Sequence, residues 1–290
     1  LWKICIIYLS STLCSLTWAG PTGRIVGGDN AAAGQFPYQI SLRKYGSHTC
    51  GGSIISENYI LTAAHCVTEE TSGGKGFKVS NAKMFSIRAG SINKSKDGVT
   101  VPVASIQVHE NYGNFLNDVA LLKLAQPLAL SKTIEAIPLA RAEIPVNENV
   151  VISGWGRIET GGSSPTLLKY NILQTIPTLT CSMKVGMNAK TLLCLGHKAG
   201  DGACNGDSGG PAVSNGELVG VAGFVVGGCG SNNPDGYAKV SYHLDWIKKN
   251  CDDKLQTKKL CVHFANRRLR RNEQNVASKS ENYEKKLGKS

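Results

Sequence analysis

The chain has 290 residues, 41% hydrophobic and 18% charged, with a formal net charge of +11, and this length allows one large core or two smaller ones. Seven of the eleven net positive charges lie in residues 255–290 and two in residues 1–24, so the rest has the charge balance of an ordinary globular domain. The basic character therefore gives no reason to expect a specific nucleic-acid partner.

The N-terminal residues predict a segment that is removed from the mature protein. Lys3 precedes an apolar run over residues 4–9, which continues brokenly to Trp18 and ends beside the small residue Ala19. This pattern indicates a secretory signal peptide over 1–19, too short to span a membrane. Residues 20–24 then form a short pro-segment, and we expect a secreted, extracellular protein with no membrane association.

Cysteine usage agrees with an oxidising compartment. Cys5 and Cys14 lie in the predicted signal peptide, which leaves eight cysteines, and none of these eight forms a CxxC pair. An even number in a secreted chain favours disulfides over a metal site. We therefore expect disulfide bonds, with no metal and no cofactor.

Short β-type runs separated by Gly, Asn, Ser and Pro clusters follow in chain order. They cover residues 38–42, 53–61, 85–89, 99–108, 119–124, 150–153, 168–176, 191–195, 211–213, 218–226 and 236–240. Many short strands at this spacing predict a β-sandwich or barrel. Residues 126–146, with three prolines, are expected to connect two β halves, and 242–249 to form a closing helix with Leu244 and Ile247 on one face.

The C-terminal residues 255–290 differ in composition from the rest of the chain. They lack the apolar content needed for packing and carry ten Lys/Arg, so we expect a basic, disordered or weakly helical tail. A solvated tail and a tail that binds an anionic surface are both compatible with this composition.

Three stretches carry side chains suited to acyl transfer. His65 lies between small residues and a cysteine, Asp118 opens an apolar run, and Ser208 lies in the glycine-rich turn 206–211. Singly, they are compatible with a structural histidine, a capping aspartate and a surface turn. Together they supply a nucleophile, a base and a group that orients the base, while the turn supplies N–H donors for an oxyanion.

These stretches resemble the chymotrypsin/trypsin family of serine endopeptidases, most closely its invertebrate chymotrypsin- and collagenase-type members. The motifs occur in the family's order, as IVGG at 25–28, LTAAHC at 61–66, NDVALLKL at 117–124, SGWG at 153–156 and GDSGGP at 206–211. The resemblance implies an all-β fold of two six-stranded antiparallel Greek-key β-barrels with a C-terminal helix. The peptidase domain would cover 25–254, with barrel one over about 25–135 and barrel two over about 136–254.

The resemblance also implies a role for each site residue. Ser208 would be the nucleophile, His65 the general base and then acid, and Asp118 the group that fixes the His65 tautomer. The N–H groups of Gly206 and Ser208 would form the oxyanion hole. One departure is Gly223, which stands where the family commonly has a serine that supports the aspartate.

Activation and disulfides are implied in the same way. Cleavage after Arg24 by a trypsin-like protease would free the amine of Ile25, which would then pair with Asp207. Cys251 and Cys261 have no family counterpart, so either they pair with each other or Cys261 is free. The implied bridges are Cys50–Cys66, Cys181–Cys194 and Cys204–Cys229.

The primary specificity pocket departs from that of trypsin. Gly202 stands at the position of the trypsin-defining aspartate, and Asp201 is one residue away and would point elsewhere. Ala203, Val225 and Asp235 complete the predicted pocket. We expect chymotrypsin-like to elastase-like cleavage after apolar residues, with secondary acceptance of basic residues through Asp235.

Two functional hypotheses follow from this pattern. The first is an active endopeptidase acting on proteins or peptides as a monomer, with an activating protease and protein protease inhibitors as partners. The alternative is a catalytically weak or inactive homologue that serves as a binding module.

Overall fold

The computed structural model describes residues 25–71 and 76–251. The predicted signal peptide, the pro-segment with Arg24, and the basic tail with Cys261 lie outside the described residues. Within them the chain forms fifteen strands and two α-helices. The strands are β1 (Asp29–Asn30), β2 (Gln39–Lys44), β3 (Ser47–Ile54), β4 (Tyr59–Thr62), β5 (Thr68–Glu70), β6 (Phe77–Val79), β7 (Phe85–Ala89), β8 (Val99–Val108), β9 (Ala120–Leu124), β10 (Asn149–Gly154), β11 (Lys169–Thr175), β12 (Leu192–Gly196), β13 (Pro211–Ser214), β14 (Glu217–Phe224) and β15 (Asp235–Lys239), and the helices are α1 (Thr178–Val185) and α2 (Val240–Asn250).

The first barrel closes six antiparallel strands in the order β2-β3-β4-β9-β8-β7. Its strands form because apolar side chains recur at every second position. In β7, for example, Phe85, Ile87 and Ala89 are buried while Ser86 and Arg88 are half-buried. Successive side chains of a strand point to opposite faces, so this alternation fills the barrel interior and leaves the polar groups outside.

The second barrel has the same strand order as the first. Its six strands follow β10-β11-β12-β15-β14-β13, and β1 pairs with Lys169 and Tyr170 at the start of β11. In each barrel the fourth strand lies beside the first, which gives the spatial order 4-1-2-3 of a Greek key. The two six-stranded antiparallel barrels that the resemblance implied are thus confirmed.

The helix α2 closes the chain against the first barrel. Its Leu244, Trp246 and Ile247 are buried in the same hydrophobic cluster as the first barrel's core, and the Trp246 indole donates to Glu110 Oε2 at 2.7 Å. The predicted closing helix is therefore confirmed. None of the helices in residues 25–71 and 76–251 is long and apolar enough to cross a membrane.

Helix α1, between β11 and β12, was not predicted. Only Cys181 of its eight residues is buried, while Leu179 and Met183 are 72% and 69% exposed. It therefore lacks the buried apolar stripe that makes an amphipathic helix visible in a sequence.

Close backbone contact joins the two barrels. A Cβ on Gly51 in β3 would lie 2.8 Å from the Cα of Gly210, so only glycine permits this approach. The Gly51 N–H donates to the carbonyl of Ser208 at 2.7 Å, and the Ser153 hydroxyl donates to Gln39 Oε1 at 2.7 Å. The turn that carries Ser208 is thereby held against barrel one.

The first described residues associate with the second barrel. Ile25 is 1% exposed and packs in that barrel's core cluster, Val26 bridges Gly202, and β1 pairs with β11. Residues 25–30 were expected in barrel one, whereas in the structure they pack and pair with barrel two. The reason is that the buried Ile25 side chain contributes to the second core before the chain crosses to the first.

Candidate active site

His65 and Asp118 meet because they lie at the ends of neighbouring strands. His65 occupies a single 3₁₀ turn, Ala64–Cys66, shortly after β4, and Asp118 stands two residues before β9. In the sheet, Thr62 of β4 lies opposite Ala120 of β9. The register of these two strands therefore brings the imidazole and the carboxylate together.

The Asp118 carboxylate binds His65 with both oxygens. Asp118 is 2% exposed, its Oδ2 lies 2.7 Å from His65 Nδ1, and its Oδ1 accepts the His65 backbone N–H at 2.9 Å. A carboxylate at Nδ1 keeps the proton on that nitrogen, so Nε2 carries the lone pair. The arrangement fixes both the orientation of the ring and the tautomer that a general base requires.

Ser208 is presented by a tightly constrained turn of the second barrel. Gly206 and Gly209 have φ angles of +101° and +76°, which side chains rarely adopt. A Cβ on Gly209 would also collide with the Thr62 hydroxyl and the Gly51 carbonyl. The glycines are needed for the turn itself and for its contact with barrel one.

The backbone N–H groups around Ser208 differ in their hydrogen bonding. The N–H groups of Asp207, Gly209 and Gly210 donate to backbone carbonyls. In the described part of the chain, by contrast, the N–H groups of Gly206 and Ser208 have no hydrogen-bond acceptor. Unpaired donors on the residues at either side of Asp207, next to a hydroxyl, have the chemistry that an oxyanion hole requires.

His48 orients the peptide that follows Gly206. Burial, together with the nearby Lys94 cation, lowers the pKa of His48 to about 4, so the ring is neutral at physiological pH. Its Nε2 lies 3.2 Å from the Gly206 carbonyl and its Nδ1 2.8 Å from the Ser41 hydroxyl. The neutral ring can donate to the carbonyl and accept from Ser41, which holds the Gly206 peptide in register.

Asp207 is buried beside the nucleophile. Its carboxylate accepts the Gly156 N–H at 2.7 Å and the Cys204 N–H at 3.0 Å, and a Cβ on Gly154 or Gly156 would collide with it. Burial raises the pKa of Asp207 to about 7 despite these two hydrogen bonds. Within residues 25–71 and 76–251 no side-chain cation pairs with this group.

A cavity of about 310 Å³ opens between the barrels beside these groups. Two of the predicted pocket residues, Ala203 and Val225, line it, whereas Gly202 and Asp235 do not. The Asp201 carboxylate lies against Gly27, away from the cavity. The cavity is lined by His65, Phe115, Ala203, Cys204, Asn205, Ser208, Ala222, Gly223, Phe224, Val225, Gly236 and Tyr237.

Asp235 lies immediately behind the cavity wall. It is 2% exposed, its Oδ2 accepts the Ala203 N–H at 2.6 Å, and its Oδ1 lies 3.3 Å from His197 Nε2. Both Ala203 and Gly236, the residue after Asp235, form part of the wall. The carboxylate is therefore hydrogen-bonded to the backbone of a wall residue without lining the cavity itself.

Several site residues were missed from the sequence, among them Phe115, Asn205 and His197. Phe115 lines the cavity, is 56% exposed and contacts the Phe224 ring at 5.4 Å between centroids. An aromatic residue in the polar loop before Asp118 could have indicated it. Asn205 and His197 carry no such signal, since their positions depend on how distant segments pack.

Three disulfides join Cys50 to Cys66, Cys181 to Cys194 and Cys204 to Cys229, the pairs that the resemblance implied. In the described residues one cluster, Cys50, His65 and Cys66, has the spacing of metal ligands. Its two sulfurs are bonded to each other, so they offer no thiolates to a metal.

Comparisons with known proteins agree with this geometry. The Trypsin family model matches residues 25–247. Serine protease SP24D of Anopheles gambiae is 46% identical over 225 residues, covering 78% of this chain and 80% of that protein. Trypsin delta of Drosophila melanogaster is 38% identical over 258 residues, covering 84% and 98%.

A solved structure is similar over the same region. Neuropsin, described as a serine protease expressed in the limbic system of mouse brain, superposes with a TM-score of 0.69 at 26% identity, covering 78% of this chain and 99% of its own. The family match spans both barrels and the cleft between them. The chain therefore belongs to the trypsin family of serine endopeptidases.

Proposed function

We propose that this enzyme hydrolyses peptide bonds through a triad of Ser208, His65 and Asp118. The observation that carries the proposal is the pair of hydrogen bonds that the backbone and ring N–H groups of His65 donate to Asp118, in a cleft that Ser208 also lines. In this reaction His65 Nε2 takes the hydroxyl proton as Ser208 Oγ attacks the substrate carbonyl carbon. The carbonyl oxygen becomes an oxyanion facing the N–H groups of Gly206 and Ser208.

The remaining steps reuse the same groups. The C–N bond breaks as His65 returns the proton to the leaving amine, which leaves an acyl group on Ser208. Water then attacks the acyl carbon with His65 again as the base, and the carboxylic acid and free Ser208 are regenerated. These steps need no group beyond the triad, the backbone donors and water.

We further propose that the chain is made as a secreted zymogen. A signal peptide over 1–19 and a cut after Arg24 would leave Ile25 as the new N-terminus. The burial of Ile25 in the second barrel and the bridge from Val26 to Gly202 support this proposal, because they bring the segment to be cut into the same barrel as Asp207. A trypsin-like protease would make the cut.

The cavity favours apolar substrates. Ala203, Val225 and Phe224 give it apolar walls, and Gly202 supplies no acidic side chain. We propose chymotrypsin-like to elastase-like cleavage of proteins or peptides by a monomer, with acceptance of basic residues as a minor activity. Protein inhibitors that present an apolar side chain would block the same cleft.

Labelling with a serine-directed fluorophosphonate tests this function. We expect the chain cut after Arg24 to be labelled at Ser208, because the reagent needs an activated hydroxyl and an oxyanion hole. The Ser208→Ala variant, cut in the same way, is the control and should remain unlabelled. Absence of labelling in the cut wild-type chain would favour the alternative, an inactive homologue acting as a binding module.

Gly223→Ser is expected to raise kcat/KM about two- to tenfold. A Cβ at this position would lie 3.6 Å from Asp118 Oδ2, so a serine hydroxyl can donate to the carboxylate, a bond worth about 0.5–1.5 kcal/mol. The Cβ would lie 3.0 Å from the Gly236 carbonyl, which must move slightly. Steady-state kinetics measure the change.

Gly223→Ala is the matched control, because it adds the same Cβ without the hydroxyl. It should show no gain. An equal gain in both variants would mean that rigidity at position 223, rather than a hydrogen bond to Asp118, limits the rate.

A further inference from the structure

A second buried pair of histidine and carboxylate lies beneath the specificity cavity. The side chains of His197 and Asp235 are 1% and 3% exposed, and His197 Nε2 lies 3.3 Å from Asp235 Oδ1. They approach because Leu195 of β12 lies opposite Asp235 of β15, and His197 follows two residues later. The pair is separate from the triad, whose histidine lies in the other barrel.

The groups around His197 favour the protonated imidazolium over the neutral imidazole. Nε2 faces the Asp235 carboxylate, and Nδ1 lies 3.1 Å from the Lys198 carbonyl. Both partners are pure acceptors, whereas a neutral imidazole has only one N–H to donate. An imidazolium can donate Nδ1–H to the carbonyl, and its positive charge at Nε2 compensates a carboxylate whose burial would otherwise be costly.

The pair occupies the space that a side chain at position 202 would need. A Cβ on Gly202 would lie 2.7 Å from Asp235 Oδ2 and 2.8 Å from His197 Nε2, and the φ of Gly202 is +116°. The buried pair of His197 and Asp235 therefore requires glycine at position 202. An aspartate of the trypsin kind at this position would collide with both partners.

We propose that His197 determines specificity by neutralising Asp235, so that the base of the cavity is uncharged and the enzyme cleaves after apolar rather than basic residues. The proposal rests on the endopeptidase function above. His197 acts through Asp235 and does not touch the substrate. Asp235 is one residue from Gly236 and bonded to Ala203, so once uncompensated it can attract a cation in the cavity.

The pair also makes the preference depend on pH. Burial lowers the pKa of His197, but the Asp235 carboxylate, the Lys198 carbonyl and Asp201 together raise it above its ordinary value. The other groups that act on the pair are Lys198, which pairs with Asp201 at 3.8 Å, and Asp207 and Tyr237, which interact with Asp235. The imidazolium therefore persists to a higher pH than in a free imidazole, and it is lost as the pH rises through the raised pKa.

The test compares matched peptides with Lys or Leu before the scissile bond. His197→Gln keeps a hydrogen-bond donor but removes the charge, so the Lys:Leu ratio of kcat/KM should rise at least about tenfold, as expected for a close charge pair. In the wild type the ratio should rise with pH, and in His197→Gln it should stay flat. A ratio cancels every effect that is common to the two peptides, including differences in the active fraction.

The double variant H197Q/D235N is the control for charge. It should return the Lys:Leu ratio to the wild-type value, whereas a merely structural role of His197 predicts no reversal. An unchanged ratio in His197→Gln, with the enzyme still cleaving the Leu peptide, would overturn the inference and leave the proposed function intact.

Binding of benzamidine tests the pair without catalysis. In the Ser208→Ala background, His197→Gln should tighten benzamidine binding at least about tenfold, and H197Q/D235N should remove the gain. Equal benzamidine affinity in Ser208→Ala and in the two variants built on it would overturn the inference. This result does not depend on whether the enzyme cleaves peptides. Failure of fluorophosphonate labelling, by contrast, bears on the proposed function alone.

Discussion

Asp118→Asn is expected to lower kcat about 10⁴-fold, the general size of this effect in enzymes with a Ser–His–Asp triad. An asparagine can still accept the His65 backbone N–H with its one oxygen. Its NH₂ group then stands where Oδ2 does, 2.7 Å from His65 Nδ1. His65 Nδ1 must then accept a hydrogen bond from this NH₂ group, so the ring proton moves to Nε2. The lone pair at Nε2, which Ser208 needs as its base, is lost.

The measurement is kcat and KM for a peptide substrate after cleavage at Arg24. Because Asp118 does not line the cavity, we expect KM to change little compared with kcat. Raising the pH should recover part of the activity, since hydroxide can replace the missing base. A loss below tenfold would contradict the assigned role of Asp118 in the triad.

Much of the fold could be predicted because it depends on local patterns. Alternating apolar residues and glycine-rich turns indicate short strands, and motifs such as the turn around Ser208 need particular backbone angles. The closing helix α2 carried its own apolar spacing at Leu244 and Ile247. Helix α1 had no such stripe, and its position follows from the packing of Cys181 near β12 instead.

The site was only partly predictable for a related reason. His65, Asp118 and Ser208 each occur in a distinctive short motif, so spacing and residue type were enough to select them. The partner of Asp235 was not predictable, because His197 reaches it only through the register of β12 and β15. Asp235 was expected to face the substrate, but in the structure it is buried against His197. The sequence gives no local signal for this contact.

Cleavage after Arg24 is expected to raise activity about 10²- to 10⁴-fold. In the described structure Ile25 has a φ of +24°, which is unusual for a β-branched residue and costs about 1–3 kcal/mol. The cut removes the peptide bond that defines this angle, and with it the strain. The new ammonium can then pair with Asp207, whose raised pKa of about 7 reflects burial without a cation.

The expected size of the gain in activity follows from the free energy of the ion pair between the Ile25 ammonium and Asp207. Loss of one partner of a buried ion pair costs about 3–5 kcal/mol, equivalent to the stated range in an equilibrium constant. Asp207 precedes Ser208 and bonds to Gly156 and Cys204, so its position and the oxyanion donors are set together. Arg24→Gln, which blocks the cut, should keep the chain at its low activity when the activating protease is added.

Asp207→Asn should abolish the gain even after the cut, because an amide cannot compensate the ammonium and accepts only one of the two N–H groups. Asp201→Asn is the matched control: this carboxylate lies near the same segment, against Gly27, but is 18% exposed and pairs with Lys198. It should change activity by less than about threefold, as for a solvent-screened pair. Cut and uncut chains of equal activity would refute the coupling between Ile25 and Asp207.

Activity of the cut enzyme should also fall at alkaline pH, where the ammonium of Ile25 loses its proton and its ion pair with Asp207 is lost.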